Sequence, residues 1–152
     1  MLEIVDRKER VQQEILGVKI DITNLNAAGQ TIAEWIKEGR KSYICVAPVA
    51  TIMDCQRDPV YRQIINRADM VTPDGMPVVW LGKWKGYKEI DRTYGPDLLL
   101  AMCGLSEREG FRHYFYGGSE ETSQLLVEKL KQKFPALQIA GNYSPPMRDI
   151  HG

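Results

Sequence analysis

At residues 70–76 the chain reads Met-Val-Thr-Pro-Asp-Gly-Met. A short apolar run stops at Pro73, a carboxylate follows, and Gly75 opens an amphipathic segment. This order is typical of a buried strand that turns into a helix, and it places Asp74 at the rim where open α/β sheets bind ligands. A carboxylate there can accept a proton from an attacking hydroxyl group, or it can simply cap the helix. The residues alone leave both interpretations of Asp74 open.

Strand and helix patterns alternate on both sides of this stretch. Residues 42–47 and 112–116 are compact runs typical of strands, and segments with helical spacing of apolar residues separate them. Strands that alternate with helices of roughly 10 to 15 residues imply right-handed crossovers and a mostly parallel sheet. We therefore predict one α/β domain over residues 1–152. Because the chain stops after a strand and a loop, where a further helix is expected, we also expect it to be truncated at the C-terminus.

Residues 11–20 and 76–84 each allow a specific prediction of secondary structure or packing. Residues 11–20 are ambiguous, and we favour a short helix through Gln12 and Glu14 before a strand over residues 18–22. The helix predicted over residues 76–84 is expected to turn these apolar side chains toward the sheet: Val78, Val79, Leu81 and Trp84.

The charge balance argues against a general nucleic-acid binder, because 20 Lys and Arg residues offset 20 Asp and Glu residues. One basic cluster, Lys-Trp-Lys-Gly-Tyr-Lys at residues 83–88, is suited to phosphates or an anionic membrane, although a solvated helix end is the favoured interpretation. No apolar run approaches the roughly 20 residues that span a bilayer. We expect a soluble protein that is able to touch a membrane surface.

Three cysteines, Cys45, Cys55 and Cys103, are an odd number without Cys-x-x-Cys spacing. This pattern argues against a disulfide framework and a metal site, and it favours a reducing cytoplasm. His113 lies within a predicted strand and is expected to be structural. No Ser-His-Asp set or metal cluster is predicted, so we expect no metal and no cofactor.

Two glycines, Gly117 and Gly118, separate a predicted strand from a predicted helix that starts at Ser119. Exposed amides there would hold a diphosphate with help from the helix dipole. The sequence lacks a complete Gly-x-Gly-x-x-Gly or Walker pattern, and an ordinary tight turn is slightly favoured.

A polar loop follows the Asp74 helix and carries Arg92 and Asp97. Arg92 is suited to offset negative charge on a leaving diphosphate, and the alternative is a surface ion pair with Asp91 or Glu89. Asp97 is more often a helix cap than a catalytic group.

Taken together, these pieces resemble the WecG/TagA/CpsF family of bacterial glycosyltransferases, over about residues 16–146. The ordered motifs that carry the resemblance are Arg-Asp-Pro at residues 57–59, Asn-Arg-Ala-Asp at 66–69, Val-Thr-Pro-Asp-Gly-Met-Pro at 71–77, Arg-Thr-Tyr-Gly-Pro-Asp-Leu at 92–98 and Phe-Tyr-Gly-Gly at 115–118.

The resemblance implies a Rossmann-like α/β fold with helices on both faces of a mostly parallel sheet. It implies an inverting UDP-sugar-dependent hexosyltransferase that moves an N-acetylmannosamine-type sugar to a lipid-linked saccharide acceptor in cell-surface polysaccharide synthesis. Asp74 matches the family's general base, and Arg92 matches an arginine near the donor diphosphate. The other residues expected to bind substrate are Thr51, Thr72, Gly75, Asp97, Gly117 and Gly118.

We expect a cytoplasmic protein that binds no nucleic acid and that can lie peripherally at the inner face of the membrane. Because the C-terminal part is expected to be missing, apolar surface is left for a partner copy, and we expect a homo-oligomer. The chain departs from the family at residues 46–51, Val-Ala-Pro-Val-Ala-Thr, where members carry a Thr-x-Asn type of stretch. Thr51 remains as a polar group, but the asparagine is absent. The alternative is a non-catalytic nucleotide-sugar-binding or assembly domain of the same fold.

Overall fold

Strands and helices alternate along residues 10–146, the part of the chain that the computed structural model describes. Their contacts group into two units, one up to Leu99 and one from Leu100 onward, so that the boundary falls within a helix. The first unit contains β1 (Gln12–Ile15), β2 (Val18–Asp21), α1 (Leu25–Lys37), β3 (Ile44–Ala47), α2 (Val49–Arg57), α3 (Pro59–Arg67), β4 (Met70–Pro73), α4 (Met76–Trp84) and the start of α5 (Gly95–Glu109). The second contains the rest of α5, β5 (Arg112–Tyr116), α6 (Glu120–Lys133) and β6 (Gln138–Tyr143).

The predicted α/β class is confirmed. Strands pair two by two within residues 10–146: β3 with β4 and β5 with β6 in parallel, and β1 with β2 antiparallel. This mixture is consistent with a Rossmann-like arrangement, although the sheets are small. The single-domain boundary of 1–152 stays a prediction. In the described part of the chain, no helix is both long and apolar enough to cross a bilayer.

The helix predicted near Gln12 is wrong, because this segment is β1 of a hairpin with β2. Leu16 and Gly17 form the two-residue turn, and both have positive φ angles, 50° and 79°. Hairpin turns of this kind match the twist of the strands, but leucine rarely adopts such a backbone, so the sequence gives a weak turn signal. Asn66 of α3 supports the turn, since its side chain donates to the Gly17 carbonyl oxygen (2.8 Å).

The core of the first unit lies around β4, whose four residues are all buried. In the parallel register, Ile44 is opposite Met70 and Ala47 is opposite Pro73, so the carboxyl ends of β3 and β4 lie at one edge. Helix packing completes the core, which contains Val18, Ile20, Ala47, Ile52, Cys55, Ile65, Ala68, Val71 and Val78.

The buried carboxylate of Asp21 joins β2 to β4. Its oxygens accept hydrogen bonds from the Val71 backbone N–H (2.6 Å) and from the Arg10 guanidinium (2.6 and 2.7 Å). The bond to Asp21 also raises the pKa of Arg10. A buried charge is tolerated here because hydrogen bonds satisfy it on two sides.

In the second unit, His113 of β5 contacts α5, as expected for a structural histidine. The buried Ser106 hydroxyl donates to the Met102 carbonyl oxygen (2.6 Å), so it accepts from Nε2 of His113 (2.7 Å). Nε2 of His113 therefore carries a proton. Burial lowers the pKa of His113 from its ordinary value of 6.5.

Replacing Asp21 with alanine should lower the free energy of unfolding by about 1–3 kcal/mol, because the buried Val71 N–H loses its acceptor. Urea denaturation of the purified protein measures the change. Asp54→Ala, which removes an exposed carboxylate on α2, serves as the control and should shift the midpoint little. Equal midpoints for the two variants would contradict this role of Asp21.

The His113 contact should make stability depend on pH. Because the folded-state pKa lies below 6.5, the unfolded chain takes up this proton first, and the stabilisation present above pH 6.5 is lost as the pH falls through and below that value. His113→Gln keeps a donor toward Ser106 but does not titrate. Denaturation between about pH 7.5 and 5 should show a smaller loss of stability for His113→Gln than for wild type, and parallel curves would refute the prediction.

Candidate active site

Asp74 follows β4 directly at the carboxyl edge that β3 and β4 share. Its side chain is 14% exposed. Gly75, not Asp74, occupies the N-cap position of α4, with φ 84° and ψ 144°. Within residues 10–146 the Asp74 carboxylate makes an ion-pair contact with Arg92 and no hydrogen bond with the α4 backbone. The interpretation of Asp74 as a helix cap is therefore wrong, and its oxygens remain able to accept a proton.

Gly75 is suited to its place because an L side chain is strained at a φ of 84°. The turn lets the chain leave β4 and enter α4 within two residues, so that Asp74 stays at the strand end. Pro77 then lies in the first turn of α4, where a missing N–H costs nothing.

The loop that carries Arg92 is hydrogen-bonded to the end of β4. The Thr93 N–H donates to the Pro73 carbonyl oxygen (2.8 Å), and the Asp91 N–H donates to the Thr23 carbonyl oxygen (2.9 Å). The carboxylate of Asp91 accepts from the backbone N–H of Arg92 (2.8 Å). The bond from Thr93 ties the loop to the strand from which Asp74 emerges.

The Arg92 guanidinium faces Asp74, with 3.9 Å between Nε and the nearer carboxylate oxygen. It also lies over the ring of Tyr94, 4.5 Å from the centroid, a geometry that favours a cation. The alternative of a side-chain ion pair with Asp91 or Glu89 is wrong for this structure. The Arg92 side chain is 45% exposed, so a ligand can reach it.

Tyr94 is a residue of the site that the sequence did not single out. It lies within the Arg-x-x-Gly-x-Asp-Leu motif, two residues after Arg92. An aromatic residue that close to an arginine is a weak signal, because many such pairs never stack. The other overlooked contact is the backbone of Thr93, whose hydrogen bond to Pro73 no side-chain pattern reveals.

Thr72 lies on β4 behind Asp74 and is completely buried. Its hydroxyl oxygen has no hydrogen-bond partner among the described residues. The side chain presents no accessible surface to a ligand in this conformation. A direct substrate contact by Thr72 stays a prediction that the geometry does not favour.

Three helices begin near the same strand edge. The start of α2 follows β3, so the half-buried Thr51 is in its first turn. The start of α5 is close to β3 as well, since a Cβ on Gly95 would lie 3.7 Å from Val46. The exposed Asp97 is in the first turn of α5 and is not its cap. With α4, these helix N-termini supply unpaired N–H groups and partial positive charge, which favour an anionic ligand.

Gly117 and Gly118 belong to the second unit, where they link β5 to α6 with φ angles of 114° and 71°. The Gly117 N–H donates to the Tyr143 carbonyl oxygen (2.9 Å), so that amide is not free to hold a diphosphate. The Ser119 hydroxyl caps α6 by accepting from Thr122 N–H. An open cavity of about 470 Å³ adjoins this turn and is lined by Gly118, Ser119, Glu120, Ser144, Pro145 and Pro146.

Comparison with known proteins supports a common ancestry. The model of the glycosyl transferase WecG/TagA/CpsF family matches residues 13–151. An N-acetylglucosaminyldiphosphoundecaprenol N-acetyl-beta-D-mannosaminyltransferase of Bacillus spizizenii is 26% identical over 107 residues, or 70% of this chain and 42% of that protein. The enzyme of the same name from Bacillus subtilis is 24% identical over 85 residues, or 56% of this chain and 33% of that protein.

The matched stretch thus spans less than half the length of these two relatives. The family match, in contrast, extends over most of the present chain and includes Asp74 and Arg92. The chain therefore belongs to the WecG/TagA/CpsF family of glycosyl transferases.

Proposed function

We propose that this protein is a glycosyltransferase that moves an N-acetylmannosamine-type sugar from a UDP donor to a lipid-linked N-acetylglucosamine acceptor in cell-surface polysaccharide synthesis. The sugar and the acceptor of this proposal come from the names of the two Bacillus relatives. One observation in this chain supports the proposal. The Asp74 carboxylate does not cap α4, and it lies beside Arg92 at the carboxyl edge of β3 and β4.

Asp74 acts as the general base of the proposed reaction. One carboxylate oxygen takes the proton of the acceptor hydroxyl as that oxygen bonds to the anomeric carbon of the donor sugar. The bond between the anomeric carbon and the donor phosphate breaks, and UDP leaves with its electron pair. A single displacement from the face opposite UDP inverts the configuration of the sugar.

Arg92 stabilises the negative charge that develops on the departing diphosphate. The Asp74 carboxylate and the Tyr94 ring hold its guanidinium in place before substrate arrives, so little reorganisation is needed during the reaction. The start of α5 adds partial positive charge nearby, while Thr51, Gly75 and Asp97 are proposed to contact substrate. The contribution of Gly117 and Gly118 to donor binding stays a prediction.

The lipid-linked acceptor favours a protein that works at the inner face of the membrane, held there peripherally from the cytoplasm. We also propose a homo-oligomer, because the apolar side chains of Val60 and Ile64 on α3 are exposed. Light scattering that shows only monomers of the full-length protein would contradict the oligomer.

Replacing Asp74 with asparagine should lower kcat about 10²–10⁴-fold, because the amide cannot accept the acceptor proton. UDP release with a UDP-N-acetylmannosamine donor and a lipid-linked N-acetylglucosamine acceptor measures the rate. Asp54→Asn is the matched control, with an exposed carboxylate on α2, and should retain activity. Full activity of Asp74→Asn would remove Asp74 from the mechanism.

The same assay distinguishes the alternative, a binding domain without turnover, which the missing asparagine at residues 46–51 favours. If the wild-type protein binds UDP by calorimetry but releases none from the donor above background, the alternative is supported and the enzyme proposal fails.

Replacing Arg92 with alanine should lower kcat about 10²–10³-fold, because the leaving diphosphate loses its positive partner. Arg92→Lys should recover part of the rate, since lysine keeps the charge but not the planar stacking on Tyr94. Arg108→Ala, at an exposed arginine in the last turn of α5, is the control. Equal rates for wild type and Arg92→Ala would contradict the role of this charge.

A further inference from the structure

The outward face of α4 is apolar. Met76, Trp80 and Trp84 follow one another at intervals of four residues, which places them on one side of the helix. Trp84 is 84% exposed and Trp80 is 61% exposed, and Leu81 lies next to them with 41% exposed. The expectation that Leu81 and Trp84 pack against the sheet is therefore wrong. We call the exposed side chains of Met76, Trp80, Leu81 and Trp84 the tryptophan face.

The opposite side of α4 fixes this orientation. Val78, Val79 and Gly82 are buried. A Cβ on Gly82 would lie 2.8 Å from the Ile90 side chain, so α4 packs too closely there to accept a larger residue. Because the helix buries this side, the tryptophan face does not contribute to the core of the unit. Two large exposed indole groups on one helix are unusual and mark an interaction surface.

The C-terminal end of the tryptophan face and the residues that follow it are rich in lysine. Lys83, Lys85 and Lys88 lie there, with Glu89 as the neighbouring acidic residue. The Lys85 ammonium donates to the Glu14 carbonyl oxygen (3.0 Å) and still carries its charge. The side-chain ammonium groups of Lys83 and Lys88 have no hydrogen-bond or ion-pair partner among residues 10–146. These two ammonium groups are available to an anionic partner.

Tryptophan beside lysine suits one kind of surface in particular. Indole rings concentrate at the boundary between lipid head groups and acyl chains, where an apolar ring and a polar N–H are both accommodated. Lysines next to an apolar helix face add attraction to anionic phospholipids. A second copy of this chain fits less well, because a two-fold contact through α4 would bring like charges together, and lysine is depleted in protein interfaces.

We infer that the tryptophan face and Lys83 and Lys88 form a docking surface for the interface of an anionic phospholipid bilayer. The inference deepens the proposed function. The advantage of membrane docking for catalysis rests on that function. The nine residues of α4 are about 13 Å long, and Asp74 lies two residues before the helix. Contact through α4 therefore keeps Asp74 close to the head-group layer, where the sugar of a lipid-anchored acceptor resides.

Sedimentation of the full-length protein with vesicles tests the surface directly. Wild type should bind vesicles of phosphatidylcholine with roughly a third phosphatidylglycerol, and bind pure phosphatidylcholine much more weakly. Trp84→Glu and the double variant Lys83→Glu/Lys88→Glu should each lower the affinity for the anionic vesicles by about tenfold or more. Leu125→Glu, at an exposed apolar residue of α6, is the control and should bind like wild type.

Tryptophan fluorescence gives a second readout that does not depend on affinity. Brominated phosphatidylglycerol should quench the emission of wild type, and Trp84→Phe should lose much of that quenching. Trp35→Phe is the matched control, because the half-buried Trp35 on α1 is covered by the Arg40 guanidinium, 4.6 Å from its ring. Its removal should leave the quenching in place.

The inference is overturned if Trp84→Glu and the lysine variant bind anionic vesicles like wild type. It is also overturned if Trp84→Glu leaves vesicle binding intact but dissociates an oligomer in light scattering, since the face would then cover a second copy.

The proposed function fails separately. A wild-type protein that binds vesicles but transfers no sugar refutes the enzyme and leaves the surface standing. Support for both requires Trp84→Glu to lose activity on vesicle-embedded acceptor while retaining it on a short-chain, water-soluble acceptor.

Discussion

The hydrogen bond from the Thr93 N–H to the Pro73 carbonyl oxygen joins the loop that carries Arg92 to the strand end that carries Asp74. Pro73 has no N–H, so it ends the ladder of β4, and its carbonyl group needs a partner from elsewhere in the chain. Thr93 provides that partner and is itself completely buried. Arg92 and Tyr94 lie on either side of it, and the guanidinium reaches Asp74 as a result. A backbone contact thus decides which side chains meet.

Backbone N–H groups supply partial positive charge at the carboxyl edge of β3 and β4. The first turns of α2, α4 and α5 lie near it, and Arg92 adds a full charge. Asp74 is the acidic group directly at the strand end, and the glycine after it leaves its oxygens free of the helix. A carboxylate in the midst of partial positive charges suits the proposed reaction, in which a proton is removed and an anion departs.

Local signals in the sequence were enough to predict several ends of strands and helices. The strand end at Pro73, the start of α3 at Asp58 and Pro59 and the cap of α6 at Ser119 were all predictable, because each depends on residues adjacent in the chain. The β1–β2 hairpin was missed because Leu16 adopts a positive φ that leucine seldom shows.

The ion-pair partner of Arg92 could not be predicted from neighbouring residues in the sequence either. Asp74 and Arg92 are separated by α4 and a loop, while Asp91 is adjacent in sequence but uses its carboxylate on the backbone. Similarly, apolar periodicity predicted that Trp84 is buried, and it is the most exposed large apolar side chain of the described residues. Periodicity reports that a helix has an apolar stripe but not whether a second apolar stripe faces away from the core.

The close approach of Gly82 to Ile90 has a mechanical consequence. A helix that packs this tightly at one point cannot roll about its own axis without a steric clash, so the angular positions of all its residues are set together. The direction in which Asp74 enters the site and the direction in which Trp84 leaves the surface are therefore coupled through one rigid segment. In the proposed function, the packing of α4 therefore sets the angle between the membrane surface and the path of the acceptor hydroxyl group.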